Sequence, residues 1–318
     1  MAGFLPNSYC NPGNFKLWIS AAAETGANAY FNSALSTNRA GATANARLTI
    51  YVRVLLVKRG RESPAPTDVS GKQFAHRNWD DGTGEWEKFR LAVKRRSEDF
   101  WGQTTFCIIP PQQYRGLDWP ASKPIYHLNV DCHFEMVWAA GNSDAHAIVD
   151  CYRMDAESDP GFRSYCGDRC CWTNFDIVES FCHDSAACKT NSTINGRLTG
   201  WIDGIIPIYD QIPANPQIAV AHEVGHLLGL PHVGQSRKSP DCVRAMDQLR
   251  TTGSGEGSND ASCYKGNDDY DRLNVMGQGM NLAFWNGMCW WLRLAEHTGT
   301  TLEGWKVVKG TATPRRLP

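Results

Sequence analysis

His222-Glu-Val-Gly-His-Leu-Leu-Gly-Leu-Pro-His232 is the stretch from which the architecture of this chain can be worked out. His222 and His226 are four residues apart, so on a helix their imidazoles project from one face, about one turn apart. Gly229 can adopt the left-handed backbone that ends a helix, and Pro231 cannot continue one. We therefore expect the chain to turn at Gly229 and to bring His232 back toward the other two imidazoles.

Three converging imidazoles are a ligand set for zinc. With three protein ligands, one position of a tetrahedral zinc ion stays open for water, which is the arrangement of a catalytic site rather than a structural one. Glu223 follows the first ligand directly and can reach that water without binding the ion, so it is the candidate general base and acid. The stretch predicts one catalytic zinc ion and hydrolytic chemistry.

The pattern HExxHxxGxxH followed by a methionine-containing turn resembles the metzincin metalloproteases. The resemblance assigns the zinc ligands, the general base and the turn to His222, His226, His232, Glu223 and Gly229. Met276, in Leu-Asn-Val-Met-Gly, matches the methionine that supports the site from below, with Met280 as the competing candidate. The implied activity is that of a zinc-dependent endopeptidase, a metalloendopeptidase that hydrolyses peptide bonds.

Two positions depart from patterns within that family. Gln278 stands where some metzincins carry a tyrosine as an extra ligand, so we expect no tyrosine ligand. Val233 follows the third histidine and does not match the acidic residue or serine of several subfamilies, so the subfamily is not assigned. The resemblance implies an α+β fold with a twisted mixed sheet, a backing helix and an active-site helix above the cleft. An irregular C-terminal subdomain would end in a helix.

Hydrophobic patterning along the chain is similar to this layout. Strands are predicted at 47–57, 104–109, 128–138, 147–152 and 199–206. The turn Gly-Asn-Ser-Asp before 147–152 indicates that this strand forms a hairpin with 128–138. Helical spacing predicts the backing helix over 85–101.

Helix signals place two further helices. The active-site helix is expected to be capped by Asn215, to have Pro216 at its first position and to end at Gly229. A C-terminal helix is expected from Leu282, capped by Asn281 and ending at Gly299. The Gly-, Ser- and Asn-rich stretch 250–270 is interpreted as a loop.

These elements predict one metzincin-like catalytic domain over residues 46–311. Its N-terminal subdomain would span 46–229 and its C-terminal subdomain 230–311, with a cysteine-rich insertion at about 155–197. Residues 1–45 are interpreted as an N-terminal extension or surface-wrapping segment, and 312–318 as a tail.

The cysteines point to an oxidising compartment. Twelve are present, an even set that suits disulfides, so we expect a secreted or extracellular protein. The first residues show no signal-peptide pattern, so the export route is not indicated.

Two groups of cysteines leave alternatives open. A structural zinc site or disulfides could be formed by Cys166, Cys170, Cys171, Cys182 and Cys188, with His183 among them. Disulfides are favoured, because the adjacent pair fits no CxxC spacing. Cys10 could hold the enzyme latent by binding the zinc, or form a simple disulfide.

Charge and hydropathy exclude some partners. A net charge of −1 gives no electrostatic field that would hold nucleic acid. The sequence contains no run of 18 apolar residues, so we expect no membrane span. The expected partner is a protein or peptide substrate, held extended along an edge strand at 147–152 or 199–206. An apolar substrate pocket is predicted from Met280, Phe284 and Trp285. The oligomeric state is not indicated.

The remaining alternatives concern a second ion and the biological context. The acidic stretch 267–271 is a calcium site or a solvated turn, with the turn favoured. The protease could act as a secreted toxin or effector on a protein of a host or rival cell. A zinc-stabilised binding protein without turnover is the third possibility, and the presence of Glu223 argues against it.

Overall fold

The computed structural model describes residues 15–19, 46–67, 73–80, 82–102, 106–109, 130–154, 164–166, 169–174, 176–177, 179–180, 217–298, 302 and 305–309. The fold is α+β with a mixed sheet and several helices, which confirms the predicted class. The described residues within 53–96 and 138–281 form one compact unit. Those within 10–52, 97–137 and 282–318 form a second unit.

Three parallel strands form the sheet of the first unit. Strand β2 (Ala46–Arg59) pairs through residues 54–59 with β6 (Ala147–Met154), and β6 pairs with β8 (Cys170–Thr173). Two short strands add antiparallel pairs: β7 (Tyr165–Cys166) on β8, and β3 (His76–Arg77) on the end of β6. The predicted strand 47–57 is thus confirmed, slightly extended at both ends.

The predicted hairpin between 128–138 and 147–152 is wrong. Strand β6 exists, but it pairs in parallel with β2. Just before β6 begins, the His146 N–H donates to the Arg53 carbonyl of β2 at 2.8 Å. The period-2 pattern identified a strand but carried no information about its neighbour. Because β6 lies between β2 and β8, the proposal of 147–152 as a substrate-binding edge is also wrong. The alternative edge, 199–206, lies outside the described residues.

Part of the cysteine-rich stretch predicted at about 155–197 contributes to the core of the first unit. All four residues of β8 are buried, with Trp172 fully so. A strand this short and buried on both faces shows no alternation that sequence reading could use. A disulfide joins Cys166 to Cys170, while Cys182, Cys188 and His183 lie outside the described residues.

The helix predicted over 85–101 is confirmed as α1 (Glu85–Trp101). Within the first unit, its Phe89 ring lies 4.8 Å from Trp79, and both side chains are buried. Trp86 packs edge-on against Trp79 at 5.1 Å. The aromatic face predicted from helical spacing is therefore the face that is covered.

The second unit is built around antiparallel pairs. Strand β11 (Lys306–Lys309) pairs with β4 (Phe106–Ile109), which pairs with β5 (Val130–Trp138). In β5 the expected alternation holds, because Cys132, Phe134 and Met136 are buried. Strand β1 (Phe15–Ile19), inside the predicted N-terminal extension, pairs with Ala46–Ile50 of β2.

The C-terminal helix begins later than predicted. A 3-10 turn at Phe284–Gly287 precedes the helix proper, Met288–Thr298, and Ala283 precedes that turn. Asn281 is therefore not the cap of this helix. The N–H of Asn281 donates to the Leu273 carbonyl instead.

The helix that carries His222 and His226, α2 (Ala219–Leu227), also begins later than predicted. Gln217–Ile218 form strand β10, paired antiparallel with β9 (Glu179–Ser180), which keeps these residues extended. The predicted start at Asn215 and Pro216 is wrong, and both residues lie outside the described part of the chain.

The stretch 250–270 is largely helical, so its interpretation as a loop is wrong. After α3 (Val233–Ser236) come α4 (Pro240–Thr252), α5 (Ala261–Lys265) and α6 (Asp269–Arg272). Asp260 caps α5 by accepting from Ser262 N–H at 2.9 Å. The Ser, Asn and Asp residues that resemble a loop are in part caps of short helices. A disulfide joins Cys242 of α4 to Cys263 of α5.

Close packing of α3 on α5 gives a test of this arrangement. A Cβ on Gly234 would lie 2.8 Å from both Cα and O of Cys263, whereas a Cβ on Gly141 meets nothing within 4 Å. We expect Gly234→Ala to lower the free energy of unfolding by about 1–3 kcal/mol, because backbone must move. Gly141→Ala should change it by less than about 0.5 kcal/mol. Urea denaturation of both variants measures the difference, and equal effects would contradict the packing.

Candidate metal centre

The position of the third histidine depends on how helix α2 ends. Gly229 has φ 85°, in the left-handed region that favours glycine. The Gly229 N–H donates to the His226 carbonyl at 2.8 Å, and the Leu230 N–H to the Gly225 carbonyl at 2.9 Å. These two bonds form the Schellman pattern, which reverses the chain direction within three residues. The turn predicted at Gly229 is present.

The reversal brings the three histidines together. One nitrogen from each of His222, His226 and His232 lies within 4.8 Å of the others. His222 and His232 are buried, at 1% and 4% exposure, and His226 is half-buried. Among the described residues this is the one cluster of histidine, cysteine and acidic side chains with metal-ligand spacing.

Each imidazole is oriented by a main-chain carbonyl. His222 Nδ1 lies 2.6 Å from the Val275 oxygen, His226 Nδ1 2.8 Å from the Leu230 oxygen, and His232 Nδ1 2.6 Å from the Ser258 oxygen. A carbonyl oxygen can only accept, so each Nδ1 carries the proton and donates it. Such a second hydrogen bond fixes the tautomer and ring plane of a metal-binding histidine.

The Nε2 atoms are consequently unprotonated and carry lone pairs. His226 Nε2 and His232 Nε2 are 3.2 Å apart, and neither has a proton to share, so this approach is not a hydrogen bond. Burial lowers the pKa of His226 to about 4. The hydrogen bond to the Leu230 carbonyl acts in the opposite direction, because it favours the charged form, but its effect is smaller. The burial of His226 thus favours its neutral form, and the three converging imidazoles could hold a metal ion, zinc being a metal that suits nitrogen ligands.

Glu223 lies buried beside the first histidine, with 2% of its surface exposed. Burial, and secondarily the charge of Asp176, raise the pKa of the Glu223 carboxyl well above its ordinary value. Its Oε2 has no hydrogen-bond partner among the described residues. A buried carboxyl oxygen without a partner is costly unless a cation or a water molecule occupies the space next to it. The surroundings of the triad therefore fit a metal ion.

Asp176 is a neighbour of the site that the sequence did not reveal. Its carbonyl accepts from Val220 N–H in the first turn of α2 at 3.0 Å, which fixes the start of the helix. Its carboxylate accepts from the Thr173 N–H at 2.6 Å and from the Ser164 hydroxyl. No spacing in the sequence links residue 176 to residue 223, so tertiary structure alone brings the two carboxyl groups near each other.

The turn around Met276 joins two of the histidines. Gly277 N–H donates to the Asn274 carbonyl at 2.8 Å, which closes the turn. Val275 provides the acceptor for His222, and the Met276 carbonyl accepts from Val233 N–H, next to His232, at 2.9 Å. The Met276 side chain is fully buried. The competitor, Met280, accepts at its Sδ from Ile218 N–H at 3.3 Å.

Gln217 clamps this turn and was missed by sequence reading. Its buried Nε2 lies 3.1 Å from the Val275 oxygen, 3.0 Å from the Gly277 oxygen and 3.2 Å from the Gly279 oxygen. One side-chain amide thus holds the carbonyls of a turn about 60 residues away in sequence. A glutamine five residues before the first histidine could have drawn attention, but nothing in the sequence indicates its partners.

A tyrosine packs against the histidines, although not at the position that the family resemblance drew attention to. The Tyr264 ring lies 4.0 Å from the His232 ring and is nearly parallel to His222 at 5.9 Å, angle 14°. Gln278 instead belongs to the turn, where its N–H donates to the Arg272 carbonyl at 2.7 Å.

The residues proposed for a substrate pocket are not brought together by any described contact. Met280 and Phe284 belong to different units, Phe284 is 57% exposed, and Trp285 is buried. The pocket stays a prediction.

The acidic stretch 267–271 is a capped helix start. Asp271 is 1% exposed and pairs with Arg237 at 3.1 Å, and it accepts from Asn267 N–H at 3.0 Å. Asp268 accepts from Asp271 N–H at 2.8 Å. Both carboxylates thus have hydrogen-bond partners within the chain, and Asp271 is buried rather than solvated as the turn interpretation expected.

The chain matches no family model, no curated protein and no solved structure.

The clamp by Gln217 gives a test of the site's assembly. Gln217→Leu removes the donor shared by the turn carbonyls, so the Val275 oxygen and the His222 ring that it orients should shift. We expect zinc affinity to fall by about 10- to 100-fold, measured by competition with a chelating indicator. Gln278→Leu, the same change on the same turn, is the control and should leave affinity unchanged. Equal losses in the two variants would contradict the clamp.

The pKa of His226 gives a pH dependence. The unfolded chain binds a proton at this residue below about pH 6.5, but the metal-free folded protein does so only near pH 4. Between these values the unfolded state binds more protons at this residue, so the contribution of His226 to stability falls as the pH is lowered from about 6.5 toward 4. Urea denaturation in the presence of a chelator should show this loss in the wild type and a smaller one in His226→Gln. The same slope in both proteins would contradict it.

Proposed function

We propose that this chain is a zinc-dependent endopeptidase. The observation that carries the proposal is the convergence of one nitrogen from each of three histidines, each ring fixed by an Nδ1 hydrogen bond. The residue that follows the first of them, Glu223, has a buried carboxyl oxygen without a partner among the described residues. Three nitrogen ligands and one carboxyl group are the parts that metal-assisted hydrolysis requires.

Zinc, when bound, would supply Lewis acidity that polarises a carbonyl and lowers the pKa of water to about 7. Glu223 would accept the proton of the attacking water and later deliver it to the departing amine. Burial excludes bulk water from the carboxyl group, so the proton passes between Glu223 and the reacting atoms. A positive charge held by the triad would favour the ionised form of Glu223, which is the form that accepts a proton.

Peptide bonds are proposed as the substrate because residues 222–232 and Met276 resemble the metzincin pattern. The two disulfides, Cys166–Cys170 and Cys242–Cys263, are compatible with an extracellular location, where oxidised cysteines persist. Among the described residues, no helix combines the length and apolar character that crossing a membrane requires. A context as a toxin or effector would change the substrate protein, not the chemistry.

Glu223→Gln tests the proposal directly. The variant keeps the shape of the side chain and removes its ability to accept a proton. We expect zinc content to stay near one ion per chain, while cleavage of a proteome-derived peptide library falls by about 10²- to 10⁴-fold. Glu256→Gln, at an exposed glutamate of the same unit, should retain full activity.

Two results would overturn the proposal. Failure of the purified wild-type protein to bind zinc would remove the metal centre. Zinc binding without any cleavage, identical in wild type and Glu223→Gln, would instead support a zinc-stabilised binding protein.

A further inference from the structure

The chain from Cys242 to Tyr264 supplies two contacts to the third histidine. The Ser258 carbonyl accepts from His232 Nδ1 at 2.6 Å, and the Tyr264 ring lies 4.0 Å from the His232 ring. One contact fixes the tautomer of the imidazole and the other covers its face. Ser258 lies within the segment whose two ends are joined by the disulfide, and Tyr264 follows directly after its second cysteine.

The other two histidines do not depend on this segment for their Nδ1 hydrogen bonds. His226 donates to Leu230, at the end of its own helix, and His222 donates to Val275 in the turn that Gln217 holds. The segment 242–263 therefore bears on His232 in particular.

Helix α4 has few buried contacts besides the disulfide, and its described side-chain contact with α3, Gln235 Nε2 to Met246 Sδ at 3.3 Å, is exposed. Within α4, all of whose residues are described, Cys242 is the single buried side chain. Three large apolar residues of α4 are exposed, namely Val243, Met246 and Leu249. A helix with so few buried contacts opens at low free energy unless a crosslink holds it.

The other end of the crosslink is firmly packed. Cys263 is fully buried, and its N–H donates to the Asp260 carbonyl at 2.9 Å. Its backbone lies against Gly234, two residues after His232, so closely that a Cβ there would be 2.8 Å away. The disulfide thus joins the exposed helix α4 to the buried part of α5, which includes Tyr264.

We propose that the Cys242–Cys263 disulfide is a positioning element for the third metal ligand, so that its reduction weakens metal binding. This inference rests on the proposed metal binding of the triad. When the disulfide is intact, the carbonyl of Ser258 and the ring of Tyr264 hold His232 in the ligand geometry. When it is reduced, α4 loses its anchor, Ser258 moves, and His232 can reorient.

The chemical step can be made with a water-soluble phosphine. Phosphorus attacks one sulfur and the S–S bond breaks. Water then supplies the oxygen of the phosphine oxide and the two protons of the thiols. Phosphorus is oxidised by two electrons and the two sulfurs are reduced by two. In a cell, a dithiol reductant would perform the same exchange and become a disulfide. The centre would then be complete only where cysteines are oxidised.

The experiment compares two disulfides of the same unit. Zinc dissociation constants are measured by chelator competition for the wild type, for Cys242→Ser/Cys263→Ser and for Cys166→Ser/Cys170→Ser. We expect the first double variant to bind zinc about 10- to 100-fold more weakly, the loss typical when a partner that orients a ligand is removed. The second double variant is the matched control and should bind as the wild type does. Cobalt substitution gives a spectroscopic readout, since loss of one nitrogen ligand alters the absorption bands of the bound ion.

A second pair of variants covers the case in which the first double variant does not fold. Tyr264→Leu, with the disulfide intact, should weaken zinc binding, and Tyr264→Phe should restore it, because the ring and not the hydroxyl packs on His232. Circular dichroism and the unfolding midpoint establish that each variant is folded.

The outcomes separate this inference from the function proposed above. If oxidised wild type binds no zinc, the metal centre itself fails. If it binds zinc, but Cys242→Ser/Cys263→Ser or phosphine-treated protein binds equally well, the positioning role is refuted and the centre stands. Equal losses in the two double variants would also refute it, because the effect would then be general.

Discussion

Three imidazole N–H groups, each donating to a main-chain carbonyl, are the interaction on which the candidate centre depends. A carbonyl can only accept, so the three bonds fix three tautomers and direct three lone pairs toward one point. The surrounding structure positions those carbonyls. The helix-ending turn at Gly229 positions Leu230, the clamp by Gln217 positions Val275, and the disulfide-closed segment carries Ser258.

The same constraint explains why so many polar groups are buried at this point. Two of the histidines, Glu223 and Gln217 are each almost fully buried, and burying polar groups costs free energy unless partners compensate. The imidazoles and the Nε2 of Gln217 have carbonyl partners, whereas the Oε1 of Gln217 has no hydrogen-bond partner among the described residues. Glu223 Oε2 has none among the described residues, and its pKa is raised as a result of burial. The protein therefore buries one carboxyl oxygen without a partner, on the residue that follows His222, in the same helix as two of the three histidines whose nitrogens converge.

Local patterns predicted elements well and their neighbours poorly. Strand β2, helix α1 and strand β5 were found from periodicity, because each has one covered face. The hairpin at 147–152 was wrong, because alternation does not specify which strand lies alongside. Strand β8 was missed, because a short strand buried on both faces shows no period. In 250–270, capping residues such as Asp260 were taken for loop residues, since the same side chains serve both purposes.

The sequence by itself determined the ligand triad, the candidate base and the turn, because these lie within eleven consecutive residues whose geometry a single helix and a glycine can set. Tertiary structure decided what surrounds them. Asp176, Gln217, Ser258 and Tyr264 reach the site from four other segments, and none has a spacing that reveals its partner. The physical reason is that the motif's own contacts run between neighbours in sequence, whereas each supporting contact joins residues whose proximity depends on how the rest of the chain packs.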